Sequence, residues 1–246
     1  MNISVAAEKI FSVLGLPITN SMLVAWIAMG FLVIISLVAT HKIRLVPRGL
    51  QNFFESVCDA ILTLVDSVMG DRKQSLRFFP LIATIFIFVL VGNWLGLLPG
   101  VGSVGIREYH EGREVLVPFL RSTAADLNFT LALAVISVIT VQVVGILSVG
   151  FFKYASKFIN FSSPLNFFVG VLELISEVAK LISFSFRLFG NIFAGEVLLT
   201  VMFFLVPYVV PLPFMMFEVF VGFIQAMVFS MLTLVFLKIA TIEAQH

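Results

Sequence analysis

The run Ile182-Ser183-Phe184-Ser185-Phe186-Arg187-Leu188-Phe189-Gly190-Asn191-Ile192-Phe193-Ala194-Gly195-Glu196 sets an arginine in the most apolar half of the chain. A guanidinium keeps its proton in a protein, so Arg187 cannot escape burial by becoming neutral. At a bilayer centre it costs roughly 2.5–3.5 kcal/mol on insertion scales. A charge held there at that cost belongs by default to an ion pathway, with a partner that compensates it. Glu173, Glu177, Lys180, Asn191 and Glu196 share the stretch. On a helix, Lys180 and Asn191 fall within about 40° of Arg187. Glu173 falls on that side too, about 21 Å earlier along the axis, while Glu196 points to the opposite side. Polar groups at both ends with the arginine between them suit two separate wet passages divided by a fixed positive charge.

The other polar residues admit plainer readings beside functional ones. Glu177 and Lys180, spaced i,i+3, can neutralise each other near a membrane surface. Glu173 reads equally as an interfacial carboxylate. Glu196 reads as functional, because hydrocarbon offers it no water unless a channel does. Glu218 and Gln225, seven residues apart in the last apolar stretch, share a face. A titratable carboxylate followed by a neutral amide suits the lining of a proton path, or packing between helices. Asn93 lies near the outer end of its apolar run. Asp126 reads as a helix N-cap, and Asn128 either caps or lines a path.

The elements that carry these residues must lie in a membrane. Apolar residues make up 60% of the chain and charged residues 12%, against roughly 45–50% and about 25% in soluble domains. Phenylalanine contributes 28 of 246 residues. The chain reads as an all-α polytopic membrane protein. One cysteine, Cys58, rules out an internal disulfide, and His41, His110 and His246 lie outside the apolar runs, so no metal or haem centre within the membrane is expected. Residues 1–20 carry only Glu8 and Lys9 as charges and lack the basic lead of a cleavable signal peptide. The first apolar run is therefore expected to remain as an anchor. No internal repeat, low-complexity tract, soluble domain or Gly-rich phosphate loop with its lysine is present, and no catalytic role or cofactor is expected.

Five apolar stretches are long enough to span about 30 Å of hydrocarbon. They cover 21–40, 78–99, 127–152, 164–206 and 208–242. From Pro164 to Pro207 there is no intervening proline, and one helix of that length extends about 63 Å, twice the membrane. The stretch is either a single strongly tilted helix or a hairpin folded near Gly190-Asn191, which would move Arg187 to a membrane surface. Leu188, Phe189, Ile192 and Phe193 are poor turn residues and favour the single helix. Pro207, Pro211 and Pro213 make a better reversal point.

Residues 48–69 differ. Leu50, Phe53, Phe54, Val57, Ile61, Leu62, Val65, Val68 and Met69 form an apolar stripe at helical spacing, opposite Gln51, Asn52, Glu55, Asp59 and Asp66. This is an amphipathic surface helix whose acidic polar face departs from the basic face of a lipid-binding helix. It suits contact with another subunit or with the loops. With five spans, Lys42, Arg44, Arg48, Arg72, Lys73, Arg77, Lys153, Lys157 and Lys238 share one side. Lys9, Arg107, Arg113 and Arg121 take the other, the last three offset by Glu108, Glu111 and Glu114. That bias puts the N-terminus outside and the C-terminus in the cytoplasm.

At these motifs the chain resembles subunit a of the F-type ATP synthase membrane sector. Ser185-Phe186-Arg187-Leu188-Phe189-Gly190-Asn191-Ile192-Phe193-Ala194-Gly195-Glu196 follows that family's arginine signature. Similarity also covers Phe79-Pro80-Leu81 through Asn93-Trp94-Leu95-Gly96-Leu97-Leu98-Pro99-Gly100, Ala125-Asp126-Leu127-Asn128-Phe129-Thr130-Leu131-Ala132, and the last helix with Glu218 and Gln225. The resemblance implies that Arg187 faces the c-subunit ring. Asn191, Glu196, Glu218 and Gln225 would line an outer half-channel, with Glu173 at the cytoplasmic outlet and Asn128 along the path. It further implies two long tilted helices, the b-subunit peripheral stalk and lipid bilayer as partners, no nucleic acid, and a bacterial plasma (inner) membrane. The transported ion is H⁺, with Na⁺ left open because ring residues decide it. Some bacterial members carry histidine where this chain has Glu218. A carboxylate there, with an ordinary pKa of about 4.3 rather than about 6.5, must be retuned by burial to relay protons. A transporter with its own substrate site would be expected to show repeated halves, and a mere anchor would tolerate loss of Arg187.

Overall fold

A computed structural model describes residues 7–13, 15–41, 43–98, 104–110, 113–158, 163–206 and 209–242. Lys42, Pro99, Gly100, Glu111, Pro207 and His246, used in the sequence reading, lie outside them. Among the described residues, two short antiparallel hairpins, β1 (Lys9–Val13) with β2 (Leu16–Thr19) and β3 (Gly105–His110) with β4 (Arg113–Pro118), accompany seven α-helices. The hairpins are absent from the sequence reading. Their strands are too short to stand out against so apolar a background.

Local chemistry sets the helix ends. Helix α1 (Asn20–Thr40) starts where Thr19 Oγ1 accepts from the Met22 amide at 3.4 Å. Helix α2 (Leu50–Met69) stops at Gly70, whose φ of +75° suits a residue without a Cβ, with its amide donating to the Asp66 carbonyl at 2.9 Å. Asp71 then caps α3 (Arg72–Gly96) through the Lys73 amide, so α3 begins well ahead of the apolar run that starts at 78. Pro80 sits inside α3, which a membrane helix tolerates when neighbours meet the freed backbone groups. Helix α4 (Leu127–Val149) ends short of 152 because Gly150 adopts φ +90°. A separate short helix, α5 (Phe151–Phe158), then folds back onto α4. Tyr154 Oη donates to Gln142 Oε1 at 2.5 Å, and its ring lies where a Cβ on Gly145 would be.

Helix α6 (Pro164–Leu205) is one unbroken helix of 42 residues. The alternative of a hairpin at Gly190-Asn191 is thereby excluded: both residues are helical. Its length, about 63 Å, exceeds the hydrocarbon thickness, so within a bilayer it must lie steeply tilted. Helix α7 (Pro211–Ile242) follows. Helices α1, α3, α4, α6 and α7 are long and apolar enough to cross a membrane. Helix α2 is not among them and packs on α3 and α7 through Ile61, Val65 and Met69. Lys238 Nζ of α7 donates to the Val68 carbonyl at 2.7 Å, fastening the far end of α7 to the last turn of α2.

The core joins α2, α3, α4, α6 and α7 around Val65, Ile82, Val89, Leu188, Leu234 and Leu237. Large apolar side chains such as Ile34, Leu37, Phe186, Met216 and Phe220 are exposed on the outer faces. On a water-soluble protein such a surface would aggregate; here it is the face for lipid or a neighbouring subunit.

Glycine permits a close approach between the end of α3 and the segment that leads into α4. Ser122 backbone and side chain lie against Gly96, so that a Cβ at 96 would overlap them. Gly96→Val is expected to cost about 1–3 kcal/mol through overpacking, read as a lower thermal midpoint of the detergent-solubilised complex. On α2, burial first, and then the charges of Asp59 and Glu55, push the Cys58 thiol above its ordinary pKa. Less thiolate is present at a given pH. Iodoacetamide should label Cys58 more slowly than glutathione at about pH 8, with a rate still climbing beyond the ordinary thiol pKa of about 8.5.

Candidate functional site

Helix α6 presents two faces. Phe184, Ser185, Leu188, Phe189, Ile192, Gly195 and Leu199 are buried against the rest of the bundle. The opposite stripe of Ser183, Arg187, Asn191 and Ala194 is exposed, at the i, i+4 and i, i+3 spacings of one helical face. Thr130 of α4 and Ser185 of α6 share a hydrogen bond of 3.1 Å between buried hydroxyls, which fixes how far α6 is rotated and therefore which residues face out.

Arg187 Nη2 donates to Ser183 Oγ at 3.3 Å, and Asn191 Nδ2 donates to the Arg187 carbonyl at 3.0 Å. Both contacts stay within α6. Among the described residues, no carboxylate lies within 4.0 Å of the Arg187 guanidinium. The arginine is thus held in place by its own helix and offered, uncompensated, to whatever covers that face.

Toward the C-terminal end of α6 the structure gathers a second group. Glu196 receives Arg121, whose Nε stands 3.0 Å from each carboxylate oxygen. The Arg121 side chain is 6% exposed and that of Glu196 37%. Glu218 of α7 is buried, with its carboxyl group resting on Gly195, where a Cβ would overlap it. Only glycine at 195 lets the Glu218 carboxylate lie beside the residue that precedes Glu196. The end of α3 locks α7 in register at this level. Asn93 Nδ2 donates to the Gly222 carbonyl at 3.4 Å and Trp94 Nε1 to the Val219 carbonyl at 3.1 Å. Ser21 Oγ donates to Asp126 Oδ2 at 2.7 Å, so α1 closes over the start of α4.

A third group lies toward the N-terminal end of α6. Lys157 of α5 pairs with Glu173 at 3.0 Å, and Glu177 pairs with Lys180 at 2.7 Å. Lys180 Nζ also sits 4.8 Å from the Phe236 ring centroid of α7, a cation–π contact. Lys180 thus shares the Arg187 side of the helix but is neutralised locally.

The structure therefore sets the Glu218 carboxyl against Gly195, the residue before Glu196, and brings Arg187 together with Asn191. Glu173 stands apart, committed to Lys157. Gln225 is half-buried on α7 beyond Glu218, and Asn128 is exposed at the start of α4, where Asp126 Oδ1 caps its amide at 2.9 Å. Arg121, read in the sequence as a loop cation offset by Glu108, Glu111 and Glu114, is a buried partner of Glu196 instead. The signal was its setting, Leu120-Arg121-Ser122-Thr123-Ala124-Ala125, with small residues rather than acids on its C-terminal side. No group of three or more His, Cys, Asp or Glu side chains among the described residues could hold a metal ion.

Fold and site together define a polytopic membrane protein whose ionisable residues line up along one over-long helix. Residues 22–238 match the ATP synthase A chain family, and the chain belongs to that family. It is similar to ATP synthase subunit a of Geobacter sulfurreducens, with 38% identity over 224 residues covering 90% of this chain and 86% of that protein. It is also similar to the subunit a of Trichlorobacter lovleyi, 36% identical with 92% and 89% covered, and of Campylobacter jejuni, 37% identical with 85% and 84% covered. The chain is an integral membrane component of the ATP synthase membrane sector and serves ion transport and ATP synthesis.

Gly195→Ala places a methyl group where the Glu218 carboxyl lies. It is expected to lower ATP-driven proton pumping in inverted vesicles, and Gly195→Ala/Glu218→Asp, with its carboxylate withdrawn by one methylene, should recover part of the loss. Wild-type pumping by Gly195→Ala alone would contradict the close approach.

Proposed function

We propose that this chain is the ion-conducting stator of the membrane motor and that Arg187 faces a rotating ring of c subunits, each bearing a carboxylate. The observation that carries the reading is an exposed, uncompensated arginine at mid-length on an unbroken helix whose other ionisable residues are paired. A guanidinium at hydrocarbon depth needs an anion, and this chain does not supply one among its described residues.

The chemistry follows from placement. Water entering beside Glu196 and Glu218 brings a proton to a ring carboxylate, which becomes neutral and can leave the stator for lipid without an ionic partner. After nearly a full turn it meets a second passage near Glu173, ionises, and is drawn to Arg187. The fixed charge stabilises the ionised ring carboxylate and repels a proton attempting the direct route between passages. Arg187 sits about 13 Å from the level of Glu196 and about 21 Å from that of Glu173 along the axis, so the passages are offset rather than continuous. Each charge crossing 100 mV releases about 2.3 kcal/mol, and several must pass for each ATP made. Asn191, Gln225 and Asn128 supply neutral polar lining. The b-subunit peripheral stalk holds the stator against the torque. With five spans, the concentration of lysine and arginine on one side places the N-terminus outside and the C-terminus in the cytoplasm of a bacterial inner membrane.

Arg187→Ala is expected to abolish ATP-driven proton pumping in inverted vesicles while the complex still assembles, and to raise passive proton leak. Unimpaired pumping at matched assembly would overturn the reading.

A further inference from the structure

Arg121 lies outside every membrane-length helix, yet its side chain is almost fully buried. The backbone around it accounts for this. The short 3-10 turn Thr123–Ala125 is wedged against α1, α3, α4 and α6. Ser122 and Thr123 lie directly on Gly96 and Gly92 of α3, where a Cβ on either glycine would overlap them. On the flanks, Asn20 Nδ2 donates to the Pro118 carbonyl at 3.4 Å and Ser21 holds Asp126. The arginine stem therefore leaves a fixed backbone. Its Nε meets both Glu196 oxygens, and its Cζ stands 5.8 Å from the ring centroid of Phe193, one turn earlier on α6.

A second, independent observation comes from three buried oxygens. Asn93 Oδ1, Ser122 Oγ and Thr123 Oγ1 have no hydrogen-bond partner among the described residues. Thr123 sits on Gly92, the residue before Asn93, and Ser122 and Thr123 directly follow Arg121. Asn93 reaches α7 at Gly222, one turn from Glu218. Buried oxygens without a protein partner are the ones that ordered water satisfies. Ser122 and Thr123 thus join the Arg121–Glu196 pair to α3, and Asn93 joins α3 to α7 one turn from Glu218.

We propose that Arg121 is a positioning residue for ion entry. It holds the Glu196 carboxylate in one orientation against a hydrated seam bounded by Asn93, Ser122 and Thr123, and releases it when Glu196 takes up a proton. The assignment rests on the ion-conducting reading above. In the step, a hydrated proton forms an O–H bond on a Glu196 oxygen and cancels its charge, while Arg121 keeps its own protons and its positive charge. When that proton passes on through seam water toward Glu218, the bare carboxylate is recaptured by Arg121. The guanidinium thus returns Glu196 to one geometry after each ion and keeps its carboxylate from turning into the protein. Both oxygens are met by the same Nε, and a lysine ammonium that reaches that point supplies a positively charged donor in its place.

The test uses the whole complex in inverted vesicles at matched assembly and reads the initial rate of ATP-driven proton pumping. Arg121→Gln is expected to lose about tenfold or more, as orienting partners of functional groups do when removed. Arg121→Lys should retain most of the rate, a rescue that a purely steric role would not give. In a Glu196→Gln background, changing Arg121 to Gln should cause no further loss, because the arginine acts through that carboxylate. Wild-type pumping by Arg121→Gln, failure of lysine to rescue, or an undiminished loss in the Glu196→Gln background would each overturn the assignment. If Arg121→Gln alone does not assemble, the neutral pair Arg121→Gln/Glu196→Gln decides: restored assembly supports the partnership and continued failure refutes it. Arg187→Ala run in parallel separates this from the broader reading. A dead Arg187→Ala beside a fully active Arg121→Gln sinks only the role of Arg121, whereas an active Arg187→Ala sinks the ion-conducting reading itself.

Discussion

One uncompensated guanidinium organises this molecule. Arg187 cannot lose its proton, and its cost at hydrocarbon depth, roughly 2.5–3.5 kcal/mol, must be met by a neighbour. A charge so placed is useful only if it stays at a fixed height and a fixed angle, and the rest of the fold supplies both. Height comes from α6 being continuous from Pro164 to Leu205. Angle comes from its buried stripe of Phe184, Leu188 and Ile192 in the core and from the Thr130–Ser185 hydroxyl contact with α4.

The treatment of the remaining charges sharpens the contrast. Glu173 is matched by Lys157, Lys180 by Glu177, and Glu196 by Arg121. Lys238 is spent on a helix C-terminus, at the Val68 carbonyl, where a cation is favoured. Arg187 and Glu218 make no ion pair among the described residues. One is presented outward and the other is sheltered inside, against Gly195 and at the level where Asn93 and Trp94 join α3 to α7. An exposed cation and a sheltered carboxylate are different tools, and on the proposed ion-conducting reading the helix beside both divides two environments.

Much of this was legible in the sequence because it depends on period and composition. The five apolar runs and the amphipathic stripe of α2 announce themselves through hydropathy and 3.6-residue spacing. The isolation of Arg187 among phenylalanines marks α6 as the candidate functional helix. The pairing of Glu177 with Lys180 follows from i,i+3 spacing alone. What stayed hidden depends on contacts between residues far apart in the chain. Arg121 meets Glu196 across seventy-five positions, and a loop arginine near several glutamates reads as a surface charge until the loop is seen to be buried. Gly195 reads as one small residue among several, and its purpose is visible only once the Glu218 carboxyl is found resting on it. The end of α4 and the separate helix α5 turn on a single positive φ at Gly150, which hydropathy cannot register. The two hairpins were likewise masked, since short strands in apolar or mixed-charge loops carry little periodic signal.

The most direct measurement is a structure of the assembled complex in lipid, resolved well enough to place the side chains on the exposed face of α6. A carboxylate carried by a neighbouring subunit should stand within about 4 Å of the Arg187 guanidinium or be joined to it through one water. An Arg187 side chain turned to a lipid headgroup, with hydrocarbon tails covering Ser183, Asn191 and Ala194 and no acidic partner within reach, would contradict its role as the fixed charge of an ion path.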